Sequence, residues 1–261
     1  MSDRMTDADE SNIYVNAWHG NEPYDPTEAI RLERACDMFR KHAEASDPQR
    51  RYRLLDIGCG IGPLRRWLAG ERFEIVGLEI SEEAAALARK TYDDCTVGDV
   101  EKPWPVEPES FDGVHAGAIM EHVVNWHKPL NHANTALRAE GQLVVSTPNL
   151  CFWREVCRLV RGRQPHWIKN MAHVHGYTPA FLRQLISLHG FEVTGFQADR
   201  VNLPLLKWCD RTMSRWFAGI GAVMIVTARR TRRVRIEHED LAHSFPRNRP
   251  VGMHAIEVLD A

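Results

Sequence analysis

A short apolar strand that runs through Asp56 into Gly58, Gly60 and Gly62, and is closed by Pro63, constrains this chain more than any other feature. Glycines at alternate positions let the backbone adopt left-handed conformations and let a ligand approach it closely. The pattern that follows predicts a helix through Ala69. Its first turn would offer unpaired N–H groups and the positive end of a dipole. Strand and helix signals alternate on both sides of this turn. Strands are predicted at 53–57, 73–80, 94–97, 111–115, 142–146, 191–196 and 222–229, and helices at 26–45, 82–90, 129–139 and 178–189. Ser81, and Thr178 followed by Pro179, have the chemistry of helix N-termini. Alternation of this kind implies a parallel sheet covered by helices on both faces.

Composition narrows the function. The 261 residues carry 33 Lys+Arg and 35 Asp+Glu, a formal net charge of -2, which argues against a dedicated nucleic-acid binder. Cys36, Cys59, Cys95, Cys151, Cys157 and Cys209 contain no CxxC pair, so reduced thiols are expected, not a disulfide frame or a zinc site. The polar, acidic start has no signal-peptide pattern, and the apolar run 218–228 is shorter than the ~20 residues that span a bilayer. The expectation is a cytoplasmic protein with no transmembrane segment.

Two cofactor classes suit a glycine-rich turn. A dinucleotide fingerprint needs G-x-G-x-x-G. Here Gly62 comes one residue early, and Asp56 places a negative charge where a pyrophosphate would be unwelcome. The stretch resembles instead the first motif, D-x-G-x-G-x-G, of the class I S-adenosylmethionine (SAM) methyltransferases. Glu79 at the end of the second strand and Asp99-Val100 after the third extend the resemblance. Phe111 to Val123 is similar to the FDxVxxxxxLEHV segment of the small-molecule branch. Ser146–Asn149 and His175–Pro179 resemble the ubiquinone-biosynthesis-like (type 11) and type 23 groups.

The resemblance implies a Rossmann-like, doubly wound, seven-stranded, mostly parallel sheet with an antiparallel last strand and helical cap insertions. It implies SAM as cofactor and S-adenosyl-L-homocysteine (SAH) as product. Asp56, Gly58, Cys59, Gly60 and Gly62 would hold the amino-acid end. Glu79 with Ile80 would hold the ribose, Asp99 and Val100 the adenine, and Ala116 would lie on the fourth strand beside them. Methyl transfer needs in-line alignment, and a hydroxyl acceptor must also lose its proton. Glu121, His122 and His175 are the catalytic candidates, each with a structural alternative as a packing or loop-bonding residue. Relatives with E-x-x-E-H place three ligands on one helix face. Here Ala118 stands at the first position, so no metal is expected. His173, two residues before His175, lies on the same side if that segment is extended.

The resemblance covers roughly 51–230, with an N-terminal helical arm or lid over 1–50 and a tail over 231–261. Insertions at 148–176 and 199–220 would cap the site and set substrate choice. Tyr14 and Trp18 are candidates for an aromatic lid near the sulfonium. Trp208, Trp216 and Phe217 form a stripe expected as core or cover. Arg154, Arg158, Arg161, Arg163 and Lys169 would attract an anionic substrate or membrane surface, or form a solvated face. The Asp/Asn-Pro-Pro-Tyr/Phe motif of DNA amino methylation and the Pro-Cys of base C5 methylation are missing. That leaves a small molecule, anionic or lipid-like, methylated on oxygen, with nitrogen or carbon as alternatives. A non-catalytic SAM-fold partner protein and a NAD-dependent oxidoreductase are the competing classes. Peripheral membrane contact stays open, as does the choice between monomer and homodimer.

Overall fold

The computed structural model of the protein describes residues 26–167, 172–203, 210–236 and 256–258. In chain order these form α1 (Pro26–Ala45), β1 (Tyr52–Ile57), β2 (Phe73–Glu79), α2 (Glu82–Ala88), β3 (Asp94–Val97) and β4 (Phe111–Gly117). Then come α3 (His127–Ala136), β5 (Leu137–Pro148), α4 (Trp153–Val160), α5 (Pro179–Leu188), β6 (Phe191–Ala198), α6 (Asp210–Trp216) and β7 (Val223–Arg230). Seven strands make one sheet in the order β3-β2-β1-β4-β5-β7-β6. β1 to β5 pair in parallel, and β7 runs antiparallel to both β5 and β6. Outside this sheet, β8 (Val234–Ile236) pairs with β9 (Ile256–Val258).

Strand periodicity divides the core between two faces. Leu54, Ile75, Val144 and Ile225 pack with Leu32, Ala35 and Phe39 of α1 and with Ala85 and Ala88 of α2. Leu55, Leu143, Val145, Met224 and Val226 pack with Leu130 and Ala133 of α3 and with Leu182, Leu185 and Ile186 of α5. Burial on both sides is what makes these strands read as nearly continuous apolar runs. The chain moves outward from β1 to β3 and then crosses back to β4. That reversal opens a crevice at the carboxyl ends of β1 and β4, where sheets of this kind bind ligands.

The expected capping is present: Ser81 Oγ accepts from Ala84 N–H and Thr178 Oγ1 from Phe181 N–H. Three expectations need correction. The helix after the glycine turn is a single 3-10 turn, Pro63–Arg66, and its Leu64 N–H is taken by the Tyr92 hydroxyl. The helix expected to reach residue 139 stops at Ala136, because Leu137 turns extended and is fully buried opposite Phe111 as the first residue of β5. Trp216 and Phe217 are 81% and 48% exposed, so neither is core. Tyr14, Trp18, Lys169, Trp208, Cys209 and most of the tail lie outside the described residues. The five described cysteines are free thiols. Among the described residues no helix is long and apolar enough to cross a membrane.

A buried histidine pair ties α3 to the end of α5. His189 Nδ1–H donates to Leu185 O at 2.7 Å, so its Nε2 accepts from His127 Nδ1–H at 3.0 Å. Burial pushes the His189 pKa down to about 4. Protonating Nε2 removes the acceptor, so the unfolded chain binds this proton more readily than the folded one. Stability should be fully present above the ordinary histidine range and should fall as the pH drops toward about 4. The loss would be roughly 2–3 kcal/mol. Thermal unfolding of wild type and His189→Gln between these limits checks this, with a shallower pH dependence expected for the variant.

Candidate functional site

Two acids shape the turn after β1. Gly58, Gly60 and Gly62 sit at φ 63, 54 and 80, which only glycine adopts without strain. Gly58 N–H donates to Leu78 O and Gly60 N–H to Glu79 Oε2, both at 2.7 Å, while Glu79 Oε1 takes Ser81 N–H at 3.0 Å. The nearly buried Glu79 carboxylate thus ties the turn to the tip of β2. Asp56 works from below. It is 2% exposed, with Oδ2 accepting from the Tyr92 hydroxyl and Oδ1 from His115 Nδ1–H, each at 2.6 Å. Burial, and then the Asp56 charge, push the Tyr92 phenol well above its usual range. Both Asp56 oxygens are therefore committed within the fold.

The other cofactor candidates fall along the same edge. Ala116 is buried in β4, and Ile80 is 46% exposed just past β2. Asp99, beyond β3, accepts Glu101 N–H at 2.8 Å, and Val100 O accepts from Trp104 Nε1–H. Cys59 is buried with its Sγ 3.6 Å from Cys95 Sγ.

Past β4 the chain departs from the expected helix face. Ala118 is left-handed at φ 54, and residues 118–122 form a turn fastened by Tyr177 O–H to Met120 O. Glu121 is 2% exposed and accepts from Thr147 Oγ1–H at 2.9 Å. Burial raises its pKa to about 7. Val174 N–H and His175 N–H both donate to Glu121 O, which docks the 173–175 segment against this turn. His122 Nδ1–H donates to Ala172 O and His173 Nδ1–H to Trp167 O, leaving the two rings edge to face with centroids 4.8 Å apart. Burial lowers both of their pKa values. Ligand-capable atoms of Glu121, His122 and His173 all lie within 4.8 Å of one another. At that separation one water could relay a proton between them, and the three groups could also face one cation. His175 is turned elsewhere: its Nε2–H donates to Val124 O at 3.0 Å.

Sequence reasoning passed over Arg31. Its side chain is 9% exposed, reaching from α1 to the tips of β4 and β5. Nη1 donates to Ser146 Oγ at 3.1 Å and Nη2 to Glu28 Oε1 at 2.9 Å. A Cβ on Gly117 would lie 2.8 Å from Nη1, so the guanidinium rests against the end of β4. The only local sign was an i, i+3 acid–base pair, which is common on any helix. The site therefore holds a carboxylate at the glycine turn, a cation at the ends of β4 and β5, and a carboxylate–imidazole cluster beyond β4.

A family model described as a methyltransferase domain matches residues 30–195. The chain is 29% identical over 170 residues to a ubiquinone biosynthesis O-methyltransferase of Rhodopseudomonas palustris, covering 60% of this chain and 64% of that protein. It is 32% identical over 150 residues to one from Bradyrhizobium diazoefficiens, covering 53% and 57%. It is also 34% identical over 117 residues to the 18S rRNA (guanine-N(7))-methyltransferase of Mus musculus, covering 40% and 41%. The chain thus spans 57% to 64% of the length of these two ubiquinone relatives. Among solved structures it resembles an S-adenosylmethionine dependent methyltransferase from Mesorhizobium loti, with TM-score 0.52 and 18% identity over 76% of this chain and 100% of that one. It also resembles SpnF, described as a (4+2)-cyclase, with TM-score 0.54 and 16% identity over 76% and 80%. At such identities these neighbours establish the fold alone.

The Tyr92 hydroxyl bridges Asp56 and the Leu64 N–H, so Tyr92→Phe leaves a buried charge one partner short. Urea unfolding should show a loss of about 2 kcal/mol. Equal stability of wild type and variant would mean that the bridge does not hold the turn.

Proposed function

The chain belongs to the methyltransferase-domain family, and on that premise we propose that it is a SAM-dependent methyltransferase acting on oxygen of a small-molecule acceptor. What carries the proposal is the joint placement, at one sheet edge, of the left-handed glycine turn with Glu79 and Arg31 and of the Glu121–His122–His173 cluster. The donor set suits the cofactor's chemistry. A carboxylate matches a ribose diol, and each Glu79 oxygen keeps a second lone pair beside its present N–H partner. A guanidinium matches the carboxylate of the amino-acid end. Asp99 and Val100 at the β3 tip are the groups nearest in sequence order for the adenine.

When bound, SAM supplies a methyl group on a sulfonium, already a good leaving group. The protein's part is to align the acceptor and to take up its proton. Glu121, which titrates near neutrality at about 7, is suited to that second task, with His122 and His173 beside it to pass the proton outward. His175, held to Val124 O, would position the loop. Oxygen as the methylated atom is supported by relatives named as ubiquinone biosynthesis O-methyltransferases. Arg154 in α4, with Arg161 and Arg163 just after it, is exposed and would favour an anionic or lipid-like acceptor.

Calorimetry on the full chain tests the cofactor. SAH should bind, and Arg31→Ala and Glu79→Ala should each weaken it about tenfold or more. Well-folded wild type that binds neither SAM nor SAH refutes the proposal. For the proton step, Glu121→Gln should lower kcat by about 10²–10⁴-fold. A base works deprotonated, so wild-type kcat should rise as the pH climbs through about 7, a limb the variant should lack.

A further inference from the structure

His115 is an unusual residue in β4. It is 2% exposed, and Phe39 lies edge-on to it at 6.2 Å. Its Nδ1–H is committed to Asp56 Oδ1 at 2.6 Å, so in the neutral ring the lone pair lies on Nε2. That Nε2 is buried and has no hydrogen-bond partner. A buried acceptor without a partner carries a desolvation penalty with no return, so a fold that keeps one has a use for it.

The position of this atom indicates the use. A Cβ on Gly117 would lie 2.7 Å from His115 Nε2 and 2.8 Å from Arg31 Nη1. An acceptor lone pair and a guanidinium thus converge on one point at the carboxyl end of β4. Gly117 is not among the left-handed glycines, so its missing side chain serves space and not backbone conformation. An α-amino acid presents a donor-only ammonium and an acceptor-only carboxylate a few bonds apart, and a lone pair beside a guanidinium complements it.

We infer that His115 Nε2 receives the ammonium of the cofactor's amino-acid end while Arg31 takes its carboxylate, with Asp56 acting through His115. This rests on the SAM reading above. It assigns the contact to a histidine because His115 Nε2 has no hydrogen-bond partner, whereas each Asp56 oxygen already accepts one bond, from Tyr92 and from His115 itself. Asp56 is then a positioning residue that holds the imidazole in the accepting tautomer, as a buried aspartate does for the base in a catalytic triad. Arg31, resting on the same glycine, governs access to Nε2.

The test compares two probes by calorimetry. One is SAH. The other is 5′-methylthioadenosine, which keeps the nucleoside and sulfur but lacks the amino-acid end. His115→Phe keeps a ring in the cavity and removes the acceptor. It should weaken SAH by about tenfold or more and leave 5′-methylthioadenosine within about twofold. Gly117→Ala, which crowds both groups, should show the same selectivity. Should either variant fail to fold, nitrogen NMR of ¹⁵N-histidine-labelled wild type decides. The His115 Nε2 resonance should shift on adding SAH and stay in place with 5′-methylthioadenosine. A folded His115→Phe with unchanged SAH affinity, or equal resonance shifts with both probes, overturns the inference while leaving the cofactor reading intact. Wild type that binds neither probe overturns both.

Discussion

A single buried carboxylate holds the functional edge of this protein together. Asp56 sits at the tip of β1, and its charge is tolerable only because each oxygen is hydrogen-bonded, one to Tyr92 beyond α2 and one to His115 of β4. Through the Tyr92 hydroxyl the same acid reaches Leu64 N–H and sets the start of the 3-10 turn. Removing any partner would strand a charge in a low-dielectric interior, so the three elements move together or not at all. Glu79 does the same from the side, holding Gly60 and Ser81 through their N–H groups. The glycine turn is thus over-determined before any ligand arrives, which lowers the ordering cost of binding.

Beyond that turn the edge is divided by charge. The side near α1 holds the Arg31 cation and the unpartnered Nε2 of His115. The side past β4 holds Glu121 with two imidazoles whose pKa values burial lowers. The second cluster depends on backbone more than on side chains: Glu121 O takes the N–H groups of Val174 and His175, which places His173 against His122. A fold shared with a methyltransferase and with a cyclase does not choose the reaction. The choice lies in which groups these two clusters present.

Part of this was legible in the chain itself. Helix α1, strand β3 and the caps at Ser81 and Thr178 stand where short-range patterns put them, because caps and periodicity act over a few residues. The acids at the first three strand tips could be found from their spacing to the glycines. The chain by itself did not reveal that residues 118–122 form a turn with Ala118 left-handed, or that Leu137 leaves α3 for β5. It also did not reveal that His173, and not His175, joins Glu121. Each of these is settled by a partner far away in sequence, such as Tyr177 for Met120 or Phe111 for Leu137.

What the sequence alone determined, then, is the alternating architecture, the close-approach turn and the acids that flank it, since apolar period, glycine and cap chemistry are local properties. Tertiary structure alone decided that Asp56 turns inward to His115 and Tyr92, and that Arg31 crosses 115 residues of chain to reach Ser146. It also decided that a carboxylate and two imidazoles meet past β4. Those outcomes follow from the need to pair buried charges and donors with whatever group the packed sheet and helices bring within reach, and no short window of sequence encodes that neighbour.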